Sequence, residues 1–229
     1  MAHFGLIGGL GVGAAVFYYR RITAACADRG VVPRLTMVHA DMPTALAFVQ
    51  AGRIDDLASY LAGLVAELAA SGATFFAIPA LTPHICLGAL EERVSLPIVN
   101  ILQTTAERLH ARGLSRVALF GTRFTIESDL FGALRGFDVV RPREDEIEAV
   151  HRIYIELATN GWIAPAEEAK LREIAETLCR RDGVEAIVLA GTDLNLIFSE
   201  ANAGFPAVDC ASAHIEAIVA RMVEQAGRR

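Results

Sequence analysis

Short apolar runs rich in β-forming residues alternate along the chain with longer segments in which apolar positions recur at helical spacing. The runs are residues 4–8, 35–40, 74–79, 97–101, 116–121, 185–190 and 206–208. Between them the spacing predicts helices near 13–28, 53–71, 104–112, 145–160, 166–182 and 212–226. The best defined covers 53–71, with Ile54, Leu57, Leu61, Leu64, Val65 and Leu68 along one stripe and Gly72 as the stop. Strand–helix alternation of this kind predicts an α/β fold with parallel sheets covered on both faces. Ligands of such sheets bind at the carboxyl ends of the strands, so functional residues are expected in the loops that follow each run.

A faint internal repeat sharpens the picture. The first half offers GLIGGLGVGAA (5–15) and IPALTPHI (78–85); the second offers VALFGTRFTIES (117–128) and VLAGTDLNLI (188–197). Gly8 and Thr82 are 74 residues apart, Gly121 and Thr192 are 71 apart. Two similar Rossmann-like lobes with a ligand cleft between them are therefore expected. Residues 1–98 with a returning 208–229 would make the first lobe and 99–207 the second.

Length, charge and cysteines narrow the class. The chain has 229 residues, 53% hydrophobic and 21% charged, with a formal net charge of −6. That suffices for a real core and excludes a disordered chain. The acidic balance argues against nucleic-acid or anionic-membrane surfaces. No apolar run reaches the roughly 18 residues of a membrane span, and no basic segment precedes the first run, so a soluble, cytoplasmic protein is expected. Cys26, Cys86, Cys179 and Cys210 show no zinc-site spacing and read as single buried thiols. No cluster of His, Asp or Glu has metal-ligand spacing.

The loops carry the candidate chemistry. Glycines at 8, 9, 11 and 13 precede a helix, where free amides favour a carboxylate or phosphate. A tight turn that needs glycine only for packing gives the same pattern. So does a dinucleotide fingerprint, since residues 9–14 fit G-x-G-x-x-A and Asp41 closes the next strand. Thr122, Thr125 and Ser128 form G-T-x-x-T-x-x-S after the 116–121 run, as helix caps or as hydroxyls for a bound carboxylate. Thr82 and Thr192 sit in matching corners with the same two readings.

Together these motifs resemble the cofactor-independent aspartate/glutamate racemase family, in its aspartate branch. The branch opens I-G-G-M-G-P before a helix with Tyr-Tyr; here stand Ile7-Gly8-Gly9-Leu10-Gly11-Val12, then Tyr18 and Tyr19. Its C-N-T-x-H becomes Ala80-Leu81-Thr82-Pro83-His84, its G-T-x-x-T-x-x-S is Gly121 to Ser128, its V-H-x-x-Y-x-E-L is Val150 to Leu157, and its G-C-T-E becomes Ala190-Gly191-Thr192-Asp193. The resemblance implies two lobes, a homodimer, no cofactor and a small carboxylic-acid substrate. It also implies that the family's two proton-carrying cysteines are replaced by Ala80 and Gly191, so two-thiol racemisation is expected to be absent. Cys86 and Cys210 read as packed interior sulfurs rather than substitutes.

A second departure concerns the substrate. Aspartate-specific members place an arginine after the second strand; residues 42–48 carry no cation, and Leu81 replaces an asparagine. Aspartate and glutamate are thus not the expected substrates. Asp193, His84 and Thr82 remain as candidate catalytic residues. Gly9, Gly11, Ala80, Leu81, Thr122, Thr125, Gly191 and Thr192 are candidates for holding the substrate. His151 and Tyr154, one helical turn apart, are expected to brace the site, and Asp209 and His214 to be structural. The expected function is a cofactor-independent isomerisation, elimination, hydration or decarboxylation beside a carboxylate. The alternatives are an inactive binder of small acids or a dinucleotide-dependent enzyme.

Overall fold

The structure, a computed structural model, describes residues 2–227. The chain divides into two compact units, Met1–Ile101 with His214–Arg229, and Leu102–Ala213.

The first unit is built on β1 (Phe4–Gly8), whose residues are all buried. It lies between β2 (Leu35–His39) and β3 (Phe75–Ala77), parallel to both. A strand buried on both faces needs apolar or small residues throughout, which Phe-Gly-Leu-Ile-Gly supplies. Helix α1 (Val12–Ala27) follows β1, α2 (Met42–Gln50) follows β2, and α3 (Ile54–Ala70) leads to β3. Leu57, Leu61, Val65 and Leu68 of α3 are buried as one stripe, with Asp55 and Asp56 complementing the dipole in its first turn. Beyond β3 come a 3-10 turn (Thr82–Cys86) and the short α4 (Leu87–Glu91).

The second unit opens with α5 (Ile101–Ala111) and is built on β4 (Arg116–Gly121). After the short α6 (Arg123–Glu127) comes the edge strand β5 (Asp138–Val139), then α7 (Glu144–Asn160) and α8 (Pro165–Asp182). β6 (Ala186–Ala190), a 3-10 turn (Thr192–Leu196) and β7 (Ala207–Asp209) complete the sheet, in the order β5-β4-β6-β7, all parallel. Pro165 starts α8 and left-handed Gly161 and Gly183 end α7 and α8, the usual asymmetry of helix ends. Helix α9 (Cys210–Gly227) ends the described chain.

The α/β class with parallel sheets is as expected; several elements differ in detail. The chain passes between the units at 101/102 and 213/214, and β7, paired with β6, belongs to the second. The 97–101 run makes only one bridge, Ile98 to Phe76, since Pro97 has no N–H to donate and the chain turns helical at Ile101. Helix α2 lies where no helix was expected, started by Asp41, whose carboxylate accepts from Thr44 N–H at 3.1 Å. Among the described residues, no helix is long and apolar enough to cross a membrane.

Candidate functional site

In the first unit the register of β1 with β2 and β3 sets three corners at the carboxyl end of the sheet: Gly9 to Gly11, Ala40 to Asp41, and Ala80 to His84. Gly9 has φ +89°, and a Cβ there would lie 2.2 Å from the Ala40 carbonyl oxygen. This glycine is needed for the approach of its own neighbouring strand, the packing alternative open in the sequence. Gly11 is buried and extended at the start of α1, with no side-chain cap. Asp41 receives both the N–H and the hydroxyl of Thr44.

The corner after β3 is almost wholly buried. Ala80 and Leu81 are 8% and 4% exposed, and Ala80 packs in the same apolar cluster as Cys86. Thr82 is half-buried at the start of the 3-10 turn. His84, 3% exposed, donates from Nδ1 to the Ala80 carbonyl at 2.9 Å, because a carbonyl can only accept. That fixes the tautomer and leaves Nε2 as a buried acceptor with no hydrogen-bond partner among the described residues. Burial lowers the His84 pKa to about 4, so the ring is neutral at neutral pH. Behind it, Tyr18 donates to His214 Nδ1 at 2.9 Å, and His214 Nε2 donates to the Val99 carbonyl at 2.7 Å. Burial takes His214 to about 3.

The second unit carries two corners on adjacent strands. Where β4 and β6 end they approach so closely that a Cβ on Gly121 would lie 2.4 Å from the Ala190 carbonyl oxygen. Thr122 caps α6, its Oγ1 accepting from Thr125 N–H at 3.1 Å and lying 2.8 Å from Thr125 Oγ1. The Ser128 hydroxyl accepts from Phe131 N–H. These hydroxyls therefore hold the corner together, as caps do. Arg123 in the same corner is gripped by Glu148, Glu144 and Glu127, whose hydrogen bonds raise its pKa further. The chain then makes a left-handed turn through Asp129, Leu130 and Phe131 at φ +50 to +56° into Gly132 at φ +74°, a conformation that costs side-chain-bearing residues roughly 1–2 kcal/mol each.

After β6, Gly191, Thr192 and Asp193 are all buried, Asp193 at 3% exposure. Helix α7 reaches both corners. His151 Nδ1 accepts from Arg123 N–H at 3.2 Å, and Tyr154 Oη donates to Asp193 Oδ2 at 3.4 Å. Burial, then the nearby Asp193 charge, raises the Tyr154 pKa and keeps the phenol protonated. A Cβ on Gly191 would lie 2.3 Å from Cε2 of the Tyr154 ring. The sequence shows a tyrosine on α7 but not that its ring lies against position 191.

None of the thiols is primed to ionise. Burial raises Cys86 to about 11 and Cys210 to about 12, and also raises Cys26 and Cys179. Cys86 donates to the Pro83 carbonyl at 3.1 Å. Asp209 caps α9, accepting from Ala211 N–H, Ser212 N–H and the Ser212 hydroxyl. Among the described residues no group of three or more His, Cys, Asp or Glu is arranged to hold a metal ion.

The family model for Asp/Glu/Hydantoin racemase matches residues 7–218. The chain belongs to that family. It is similar to a putative Asp/Glu racemase from Yersinia pestis, 24% identical over 97% of this chain and 100% of that one, with a TM-score of 0.84. It is also similar to an aspartate racemase homologue from Pyrococcus horikoshii OT3, 24% identical over 97% and 99% of the two chains, TM-score 0.81. Among curated proteins it matches the broad specificity amino-acid racemase RacX of Bacillus subtilis (strain 168), 23% identical over 62% of each chain. More distant members of the same fold are a mutant of arylmalonate decarboxylase, 14% identical with a TM-score of 0.55, and a maleate isomerase from Pseudomonas putida S16, 16% identical with a TM-score of 0.53.

Proposed function

We propose that this racemase-family chain binds a small carboxylic acid and runs a cofactor-independent reaction beside the carboxylate without a thiol pair. The reaction class is isomerisation, elimination, hydration or decarboxylation. One observation carries the reading. Positions 80 and 191 hold no ionisable side chain, all four cysteines have raised pKa values, and the same corners keep His84 and Asp193. His84 Nε2 is a neutral, unpartnered acceptor able to take a proton or a hydrogen bond, and Asp193 offers a carboxyl group. Relatives of this fold named for maleate isomerisation and arylmalonate decarboxylation support chemistry of this class. The same reading makes the chain a cytoplasmic homodimer; light scattering on the purified protein tests the dimer.

The deciding experiment offers maleate, substituted malonates and olefinic acids to the wild-type protein and to His84→Ala and Asp193→Asn. At least one acid is turned over, and each substitution lowers that turnover by about 100-fold or more. A second reading, an inactive binder, is favoured by one fact: His84 titrates at about 4, far below the near-neutral value that suits a proton carrier. Acids that raise the melting temperature with none converted would establish it.

A further inference from the structure

We propose that Tyr154 grips the bound acid at the place where position 191 has no side chain: its ring fills that volume and its hydroxyl donates a hydrogen bond to an oxygen of the ligand. The proposal rests on the carboxylic-acid reading above and adds the residue that makes the contact.

The backbone does not explain Gly191. Its φ of −145° and ψ of 113° are ordinary extended values open to any residue. What excludes a side chain is the Tyr154 ring, since a Cβ would lie 2.3 Å from Cε2 and 2.8 Å from both Cδ2 and Cζ. Glycine at 191 and a ring at 154 are therefore one feature built from two distant positions. A phenylalanine would fill the same space, so the hydroxyl needs its own explanation. Its hydrogen bond to Asp193 Oδ2 is 3.4 Å long, against roughly 2.7–2.8 Å for a good O–H···O bond. Turning from that long contact to a ligand oxygen forfeits little. Thr192, and Asp193 through its backbone N–H, also lie within reach of the phenol oxygen, so the hydroxyl stands among the polar groups of this corner. A phenol held in its protonated form is a donor, which is what an acid's oxygen atoms require.

The test uses the full chain labelled with [ζ-13C]tyrosine, whose four tyrosines are distinguished by assigning Tyr154 through Tyr154→Phe. Malonate, maleate and L-aspartate are titrated in turn, with NMR and calorimetric readouts. The Tyr154 resonance is expected to move as the acid binds. Tyr154→Phe, which keeps the ring, should weaken binding about 10-fold or more. Gly191→Ala, which displaces the ring, should weaken it as well, and the double variant should be no worse than Gly191→Ala alone. Wild-type binding with an unmoved Tyr154 resonance, or with unchanged affinity in Tyr154→Phe, overturns this proposal and leaves the acid-binding reading intact. Failure of the wild type to bind any of the three acids overturns both.

Discussion

After β3 the chain passes through Ala80 and Leu81 into a 3-10 turn that carries His84; after β6 it passes through Gly191 and Thr192 into one that carries Asp193. At the first corner the small residue keeps its Cβ, which packs among apolar neighbours, and the polar group comes from the same turn, four residues on. At the second the side chain is absent and its volume is filled from another element, the Tyr154 ring of α7. Two corners that both lead from a strand into a 3-10 turn thus surround their small residue differently, one with the apolar core of its own unit and one with a ring from α7. A polar group in the same turn can be read along the chain, whereas a ring supplied from another element needs the packing.

The largest expected effect separates the kinds of glycine in the second unit. Gly121→Ala would set a Cβ against the backbone carbonyl of Ala190 at the β4–β6 junction, which cannot yield without breaking the sheet. It should cost about 3 kcal/mol or more in urea unfolding. Gly191→Ala meets only a side chain that can swing aside, so about 1–2 kcal/mol is expected there. Equal losses at the two positions would break the distinction.

Acid probes the first corner. His84 titrates near 4 in the folded chain and near 6.5 when unfolded, so the unfolded state takes up the proton first as the pH falls. Stability is whole above about pH 6.5 and is lost progressively toward pH 4, by on the order of 3 kcal/mol from this ring. His214 acts in the same direction, down to about pH 3. His84→Gln should flatten the pH dependence of urea melts between pH 7 and 4.5, and an unchanged slope would contradict the assignment. A smaller effect is expected at the left-handed turn beyond Thr125. Asp129→Gly relieves a φ of +50° and should stabilise the chain by about 1 kcal/mol, read as a rise in Tm.

The parallel sheets follow from strand–helix alternation, and most strands stand where their apolar runs predict them. Helix α2 is short and starts directly after β2, and its start signal, the Asp41 cap on Thr44 N–H, shows only in the structure. The two-residue β5 is too short to leave a periodic pattern. In the candidate site, His84 and Asp193 could be picked out by type and position. The orphaned Nε2 could not, since it depends on Nδ1 turning back to Ala80. In the glycine-rich loop the sequence leaves an anion cradle and a packing need open at Gly9, and the close approach of the Ala40 backbone shows the packing need.

On the function proposed above, cysteine does not deprotonate carbon acids in this protein. L-aspartate, L-glutamate and a panel of other L-amino acids incubated with the wild-type chain in D2O report on it directly, through the 1H NMR signal of the α-proton. No amino acid is expected to lose that signal faster than in buffer alone. Loss at enzymatic rates that disappears in Cys86→Ser or Cys210→Ser would contradict it.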